Sequence, residues 1–242
     1  MAAAATWPPE TGPQGRVLVL QHARDTPAGL LAEWAESREL DLELHRTDED
    51  PALPEPDERP FVCCLGSINS PLDTGVPAVA ATLDLVGRAV QSGIPVLGLC
   101  YGGQVLADVM GGTIEDAPEP EIGWHTIESD APDLVAPGPW LQWHYQRFTL
   151  PPGAKQLASS RAGVQAFSSG PHLGVQFHPE STIEIVKRWA SLDIERLTAL
   201  GMADTAESLE AWRAGAGAAR SHAFQLFDGF WERARRAGSA GQ

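Results

Sequence analysis

One stretch constrains this chain more than any other: Val96-Leu97-Gly98-Leu99-Cys100-Tyr101-Gly102-Gly103-Gln104-Val105-Leu106-Ala107. It opens as a continuous apolar run, the mark of a strand buried on both faces. It closes as a helix-forming segment, so the backbone must turn sharply at Cys100. Gly98 and Gly102 flank the turn. Lacking Cβ atoms, they let neighbouring backbone pass close by. A strand that turns at once into a helix belongs to a parallel α/β sheet.

The flanking sequence repeats that order. Residues 16–20 and 61–65 are short apolar runs. Thr26-Pro27 supplies a cap and a first-turn proline, predicting a helix through about Arg38. Leu40, Leu42 and Leu44 alternate with polar residues and predict a half-buried strand. Val79, Leu83, Val86 and Val90 share one helix face, Gly93 ends that helix, and Ile94–Leu99 is another strand. The expected fold is α/β: a doubly wound, mostly parallel sheet with flanking helices. Ile122–Glu128, Val164–Phe167 and Leu173–Phe177 alternate between Pro/Gly turns and predict a small antiparallel addition. Helices are expected over 181–200 and roughly 204–236. Residues 1–14 read as a disordered leader, 15–200 as one domain, and 201–242 as a helical extension packed on it.

Charge narrows the function. Among 242 residues, 32 acids face 17 lysines and arginines, for a net charge of −15. That argues against a nucleic-acid binder, which needs a basic face. No apolar stretch approaches the roughly 20 residues of a spanning helix, so no membrane insertion is expected. The N-terminus lacks the basic segment of a signal peptide, and three cysteines, two adjacent, make no disulfide framework. A reducing cytoplasm is the expected compartment. Residues 1–60 hold 13 acids and 5 bases, while 115–133 hold 7 acids and no lysine or arginine. Segments 47–60 and 115–133 are expected to flank the catalytic end. Their acidity reads either as a solvated surface or as a docking face for a basic partner.

The chemistry begins at Gly98-x-Cys100-x-Gly102, a nucleophile elbow with cysteine in place of serine. The helix N-terminus brings positive partial charge to the sulfur. The Tyr101 amide then points where an oxyanion would form. Cys63 and Cys64, inside a strand, read as structural. A thiolate nucleophile needs a base and a group that orients it. His178 and Glu180 are two apart after an apolar strand, so they project to one side, with Pro179 stiffening the link. Glu180 can hold the His178 tautomer and support its imidazolium, leaving the other ring nitrogen for sulfur. Neither a C-x-x-C nor an H-E-x-x-H pattern supports zinc at these residues, and no metal or cofactor is expected. His22 serves structure or lines the cleft. Trp124, Trp140 and Trp143 read as core or cleft walls, and His125, His172 and His222 receive no role.

Together, Gly98-x-Cys100-x-Gly102-x-Gln104 and the later Gln176-Phe177-His178-Pro179-Glu180 resemble the class I (triad) glutamine amidotransferase family. The likeness runs from about residue 16 to 190. It is strongest to free-standing domains similar to the amidotransferase part of GMP synthase, in which Gly111-Gly112 and Glu121-Ile122-Gly123-Trp124 also fit. The resemblance implies that Cys100 attacks the side-chain amide of glutamine and forms a γ-glutamyl thioester. His178 would protonate departing ammonia and then activate water, with Glu180 orienting it. The oxyanion hole would use the Tyr101 amide and one from the Gly66-Ser67 loop. Gln104 would contact the amino-acid end of the substrate. The segment Trp143-His144-Tyr145-Gln146 resembles the loop that completes the glutamine pocket, which places His144, Tyr145 and Gln146 at the substrate. This chain departs from the His-Gly-Asp often found there, and its Gly66-Ser67 loop lacks the paired glycines common in GMP synthases.

The resemblance implies an enzyme that supplies ammonia to a separate synthetase. The chain has no S-G-G-x-D-S type loop and no Walker A pattern, so ATP chemistry is expected from another chain. The alternative is a γ-glutamyl hydrolase acting on an amide or isopeptide of a larger metabolite. A non-catalytic interaction protein is disfavoured by the intact Cys100, His178 and Glu180.

Overall fold

A computed structural model describes residues 16–57, 59–201 and 205–240, so the predicted leader lies outside the described residues. The apolar runs become strands β1 (Val17–Gln21), β2 (Leu42–Arg46), β3 (Val62–Cys64) and β4 (Val96–Leu99). Longer alternating segments follow as β5 (Ile114–Ser129), β6 (Gly138–Phe148), β7 (Lys155–Ser160), β8 (Gly163–Ser169) and β9 (His172–Val175). The helices are α1 (Gly29–Ser37), α2 (Pro77–Gln91), α3 (Tyr101–Val109), α4 (Ile183–Leu192), α5 (Ile194–Ala199) and α6 (Thr205–Ala240).

Among the described residues, the nine strands form one sheet, in the order β2-β1-β3-β4-β9-β8-β7-β5-β6. The first five are mutually parallel, and β8, β7, β5 and β6 extend them antiparallel. This is the α/β sheet with flanking helices that the sequence predicts. Successive side chains of the parallel strands go to opposite layers. Val17, Val19, Cys63, Leu97 and Leu99 pack under α1 and Leu226, Phe227 and Phe230 of α6. Leu18, Leu20, Val62, Cys64 and Val96 pack under α2 and α3. Cys63 and Cys64 are thus buried in opposite cores, and desolvation pushes both thiols well above their ordinary range.

Several elements depart from the expected pattern. Helix α1 begins at Gly29, three residues after Thr26, because the Thr26 hydroxyl is spent on Ala23. Strands β6 and β7 were not expected, and the Trp143–Gln146 segment lies inside β6 rather than in a loop. Its one-sided apolar pattern is weak because its polar residues find buried hydrogen-bond partners. The helix expected over 181–200 breaks at Asp193, which caps both α4 and α5. Among the described residues, no helix is long and apolar enough to cross a membrane.

Candidate active site

The end of β4 and the start of α3 meet at Cys100, whose φ of 52° and ψ of −108° lie outside the ordinary regions for a side-chain-bearing residue. Such a conformation costs on the order of 1–3 kcal/mol and persists only where the surroundings hold it. Here the surroundings are backbone. A Cβ on Gly98 would fall 2.3 Å from the Gly102 carbonyl oxygen, and one on Gly102 would fall 1.9 Å from that of Cys64. A Cβ on Gly103 would meet the Val175 oxygen at 2.4 Å. The Cys100 amide donates to the Val175 carbonyl at 2.9 Å. Three glycines therefore let α3 settle onto β3 and β9, and that close approach fixes the elbow.

His178 and Glu180 follow β9, which is hydrogen-bonded beside β4, so the sheet brings both motifs together at the carboxyl ends of these two strands. The His178 amide donates to the Leu141 carbonyl of β6 at 2.9 Å. The Glu180 carbonyl accepts from Leu30 of α1 at 2.8 Å. This contact explains Gly29: its φ is +47°, and a Cβ there would lie 2.0 Å from the Glu180 oxygen. His178 Nδ1 lies 2.7 Å from Glu180 Oε1, which leaves Nε2 as the nitrogen for sulfur. Both side chains are buried, and the other Glu180 oxygen has no hydrogen-bond partner among the described residues. Burial opposes charge on His178, but the Cys100 sulfur and the Glu180 carboxylate outweigh it and raise the imidazole to about 10. Trp189 of α4 packs edge-on against the ring, with centroids 4.6 Å apart.

The Gly66-Ser67 loop after β3 closes the opposite side. A Cβ on Gly66 would come within 2.9 Å of His178 Cε1 and 4.0 Å of Cys100 Cβ. Gly66→Ala is therefore expected to push the imidazole from the sulfur and lower kcat about tenfold to a hundredfold. Thermal melting beside steady-state kinetics checks this, since the fold should survive while turnover falls.

The side chains predicted to hold substrate divide into two groups. Gln104 Nε2 donates to the Gln146 carbonyl at 3.1 Å and to Gln176 Oε1 at 3.4 Å. The Gln176 amide in turn lies 3.8 Å from Cys100 Sγ. His144 is spent on protein partners: Nδ1 donates to the Gln146 carbonyl and Nε2 lies 3.0 Å from Glu121. Glu121 also accepts from Ser160 at 2.8 Å and Gln165 at 2.9 Å. His144 thus braces the Gln146 backbone from a buried carboxylate. Tyr145 reaches across the cleft edge, donating its hydroxyl to Asp193 at 2.6 Å. Trp143 also donates to Asp193, at 3.2 Å.

Sequence reasoning assigned no role to Gln176, Trp189, Glu121 or Asp193. Gln176 opens the motif that ends at Glu180, and Trp189 shares with Ile185 and Val186 the buried face of α4. Asp193 carried no sequence signal. His22 does not line the cleft: its ring is buried between Thr47 and Cys64, and desolvation lowers it to about 3. Trp140 is core, stacked on Phe177, whereas Trp143 lines the cleft.

These residues enclose a cleft of about 410 Å³, floored by Cys100, Tyr101 and Gln104 and walled by Gly66, Trp143 and Trp189. That volume suits a small metabolite. The acidic segments do not frame it as expected. Residues 47–60 run from the carboxyl end of β2 back to the amino end of β3, where Arg59 pairs with Glu43. Only Asp116 from the 115–133 segment reaches the cleft, joined there by Asp25, Asp73 and Asp193.

The family model of class-I glutamine amidotransferases matches residues 35–187. One subunit of the glutamine-hydrolysing GMP synthase from Ignicoccus hospitalis is 36% identical over 141 residues, covering 53% of this chain and 71% of that protein. The glutamine-hydrolysing GMP synthase of Alkalilimnicola ehrlichii is 37% identical over 110 residues; the match covers 38% of this chain but only 21% of that longer protein. Among solved structures, a glutamine amidotransferase from Methylobacillus flagellatus superposes with a TM-score of 0.83 at 27% identity, covering 91% of this chain and 95% of its own. With strands β2 to β9 and both halves of the Cys100–His178 pair inside the matched span, the chain belongs to the class-I glutamine amidotransferase family.

Proposed function

We propose that this chain hydrolyses the γ-amide of glutamine through a cysteinyl γ-glutamyl thioester and delivers the ammonia to a separate synthetase subunit. The observation that carries the reading is the strained Cys100 elbow facing a buried His178–Glu180 pair at the carboxyl ends of β4 and β9. The Cys100 sulfur attacks the amide carbon, and the oxyanion is received by the amides of Tyr101 and of the Gly66-Ser67 loop. His178 gives its proton to the leaving ammonia. It then takes one from the water that cleaves the thioester, releasing glutamate. Glu180 keeps the ring oriented and balances the imidazolium. A separate acceptor is supported by the Ignicoccus relative, itself named as one subunit of a GMP synthase. A cytoplasmic site of action agrees with a chemistry that needs a reduced thiol.

Two outcomes follow from the buried pair. Glu180→Gln keeps the size of the side chain but not its charge, and kcat is expected to fall by about 10²–10⁴-fold. Comparing kcat and KM checks it, because a change confined to KM would contradict an orienting role. The pair also sets a pH window. The folded His178 titrates near 10, above its ordinary 6.5, so its stabilisation is complete below the lower value and disappears as pH rises through the higher. Melting temperature should therefore decline between pH 7 and 10 more steeply in the native chain than in His178→Gln.

The reading is tested by incubating the purified protein with glutamine, and separately with a γ-glutamyl anilide, while measuring glutamate. Rapid glutamine turnover supports it. Cleavage of the anilide with little glutaminase activity would instead favour a γ-glutamyl hydrolase of larger metabolites.

A further inference from the structure

Helix α5 brings Arg196 to the mouth of the catalytic cleft. Its guanidinium carbon lies over the Tyr145 ring, 3.2 Å from the centroid. The Tyr145 hydroxyl is locked to Asp193 at 2.6 Å. Asp193 is locked in turn by Trp143 Nε1 at 3.2 Å. The ring contact therefore holds the guanidinium in place without using its N–H donors. Arg196 makes no ion pair among the described residues, although Asp193 lies only three positions earlier. Among the described residues lining the cleft, Arg196 is the only lysine or arginine, set against Asp25, Asp73, Asp116 and Asp193. A guanidinium held against a ring, with its N–H donors unspent, in a cleft otherwise rich in carboxylates matches one ligand chemistry: a planar carboxylate received by two parallel N–H donors.

The geometry points to Arg196, oriented by Tyr145 and Asp193, as the residue that binds a substrate carboxylate in this cleft. The inference deepens the γ-glutamyl reading above and rests on it. Two carboxylates share this chemistry: the α-carboxylate of the γ-glutamyl unit itself, and a carboxylate on the group that leaves. In either case Tyr145 is a positioning residue, and its ring is what gives the arginine a surface to lie on.

Binding, rather than turnover, separates this inference from the reading it rests on. Glutamine, glutaminamide (its neutral α-amide) and γ-glutamylglycine are titrated by calorimetry into Cys100→Ala and into Cys100→Ala/Arg196→Ala. If the α-carboxylate is the ligand, loss of Arg196 weakens glutamine and γ-glutamylglycine at least tenfold and leaves glutaminamide unchanged. If the leaving group supplies it, only γ-glutamylglycine weakens. Arg196→Lys should restore part of the lost affinity, since it keeps the charge but not the fork. Tyr145→Phe should keep most of it, and Tyr145→Gly should lose it as Arg196→Ala does. Equal weakening of all three ligands, no weakening of any, or no binding of the three to Cys100→Ala would overturn the inference. The selective pattern in a protein that turns over no glutamine would sink the proposed activity and leave the carboxylate subsite standing.

Discussion

Cys100→Ala is expected to abolish glutamate release from glutamine, by about 10⁴-fold or more, with no loss of folding. The size follows from the role: without the sulfur there is no covalent intermediate, and the remaining groups are left to activate water at an uncatalysed amide. Folding should survive because the strain at Cys100, at φ 52°, is imposed by backbone contacts of its glycine neighbours and not by its own side chain. Alanine at that position removes only the sulfur from a site that is already pocket-facing. Glutamate release measured beside a thermal melt checks both halves. His178→Ala should lose nearly as much, and the double variant little more than either alone, since residues acting as one unit are not additive.

The second large effect is structural. Gly102→Ala would place a methyl group 1.9 Å from the Cys64 carbonyl oxygen and 2.6 Å from its carbon. Neither partner is the tip of a flexible side chain; both belong to the central strand β3. Helix α3 would have to lift from the sheet, opening the core of Val105, Leu106 and Tyr101 and dragging Cys100 from Gly66 and His178. A destabilisation of about 3–5 kcal/mol is expected, at the upper end of what single substitutions do. Chemical denaturation measures it. Gly217→Ala serves as the control, because a Cβ there meets nothing within 4 Å. Equal stability of the two variants would show that the elbow is not held by close backbone approach.

Much of this site was legible because its residues act through local geometry. Gly98, Cys100 and Gly102 announce a strand-to-helix turn, and His178 with Glu180 needs only an extended backbone to share a side. The same locality made β1, β3, β4 and α2 readable from apolar runs and a single helical face. What was not legible depends on distant partners. The strand β6 was hidden because Gln142, His144 and Gln146 look like loop residues until Gln165, Glu121 and Asp116 supply their side-chain hydrogen bonds. Nothing near Asp193 in sequence indicates that Tyr145, 48 residues earlier, will donate to it. The acidic loop 47–60 was misplaced for a topological reason: β2 and β3 are parallel strands on either side of β1, so their connection must run back from the carboxyl end of one to the amino end of the other. The cleft gathers its acids instead from four separate parts of the chain, at Asp25, Asp73, Asp116 and Asp193.

The acidity of the chain also bears on a partner. Asp48 and Glu49 pair with Arg46, Asp84 and Glu55 with Arg88, and Glu43 with Arg59. Part of the charge is therefore already compensated within the chain. The face open to the partner proposed above is the cleft itself, lined by Asp25, Asp73 and Asp116 together with exposed Ile68 and Leu192.

The most direct measurement is of the intermediate itself. The protein is mixed with glutamine, quenched in acid within the first turnovers, digested and examined by mass spectrometry. A γ-glutamyl group on the peptide carrying Cys100, released by hydroxylamine and missing in Cys100→Ala, is the expected result. Glutamate production with Cys100 unmodified throughout, or undiminished in Cys100→Ala, would contradict a thioester at this sulfur.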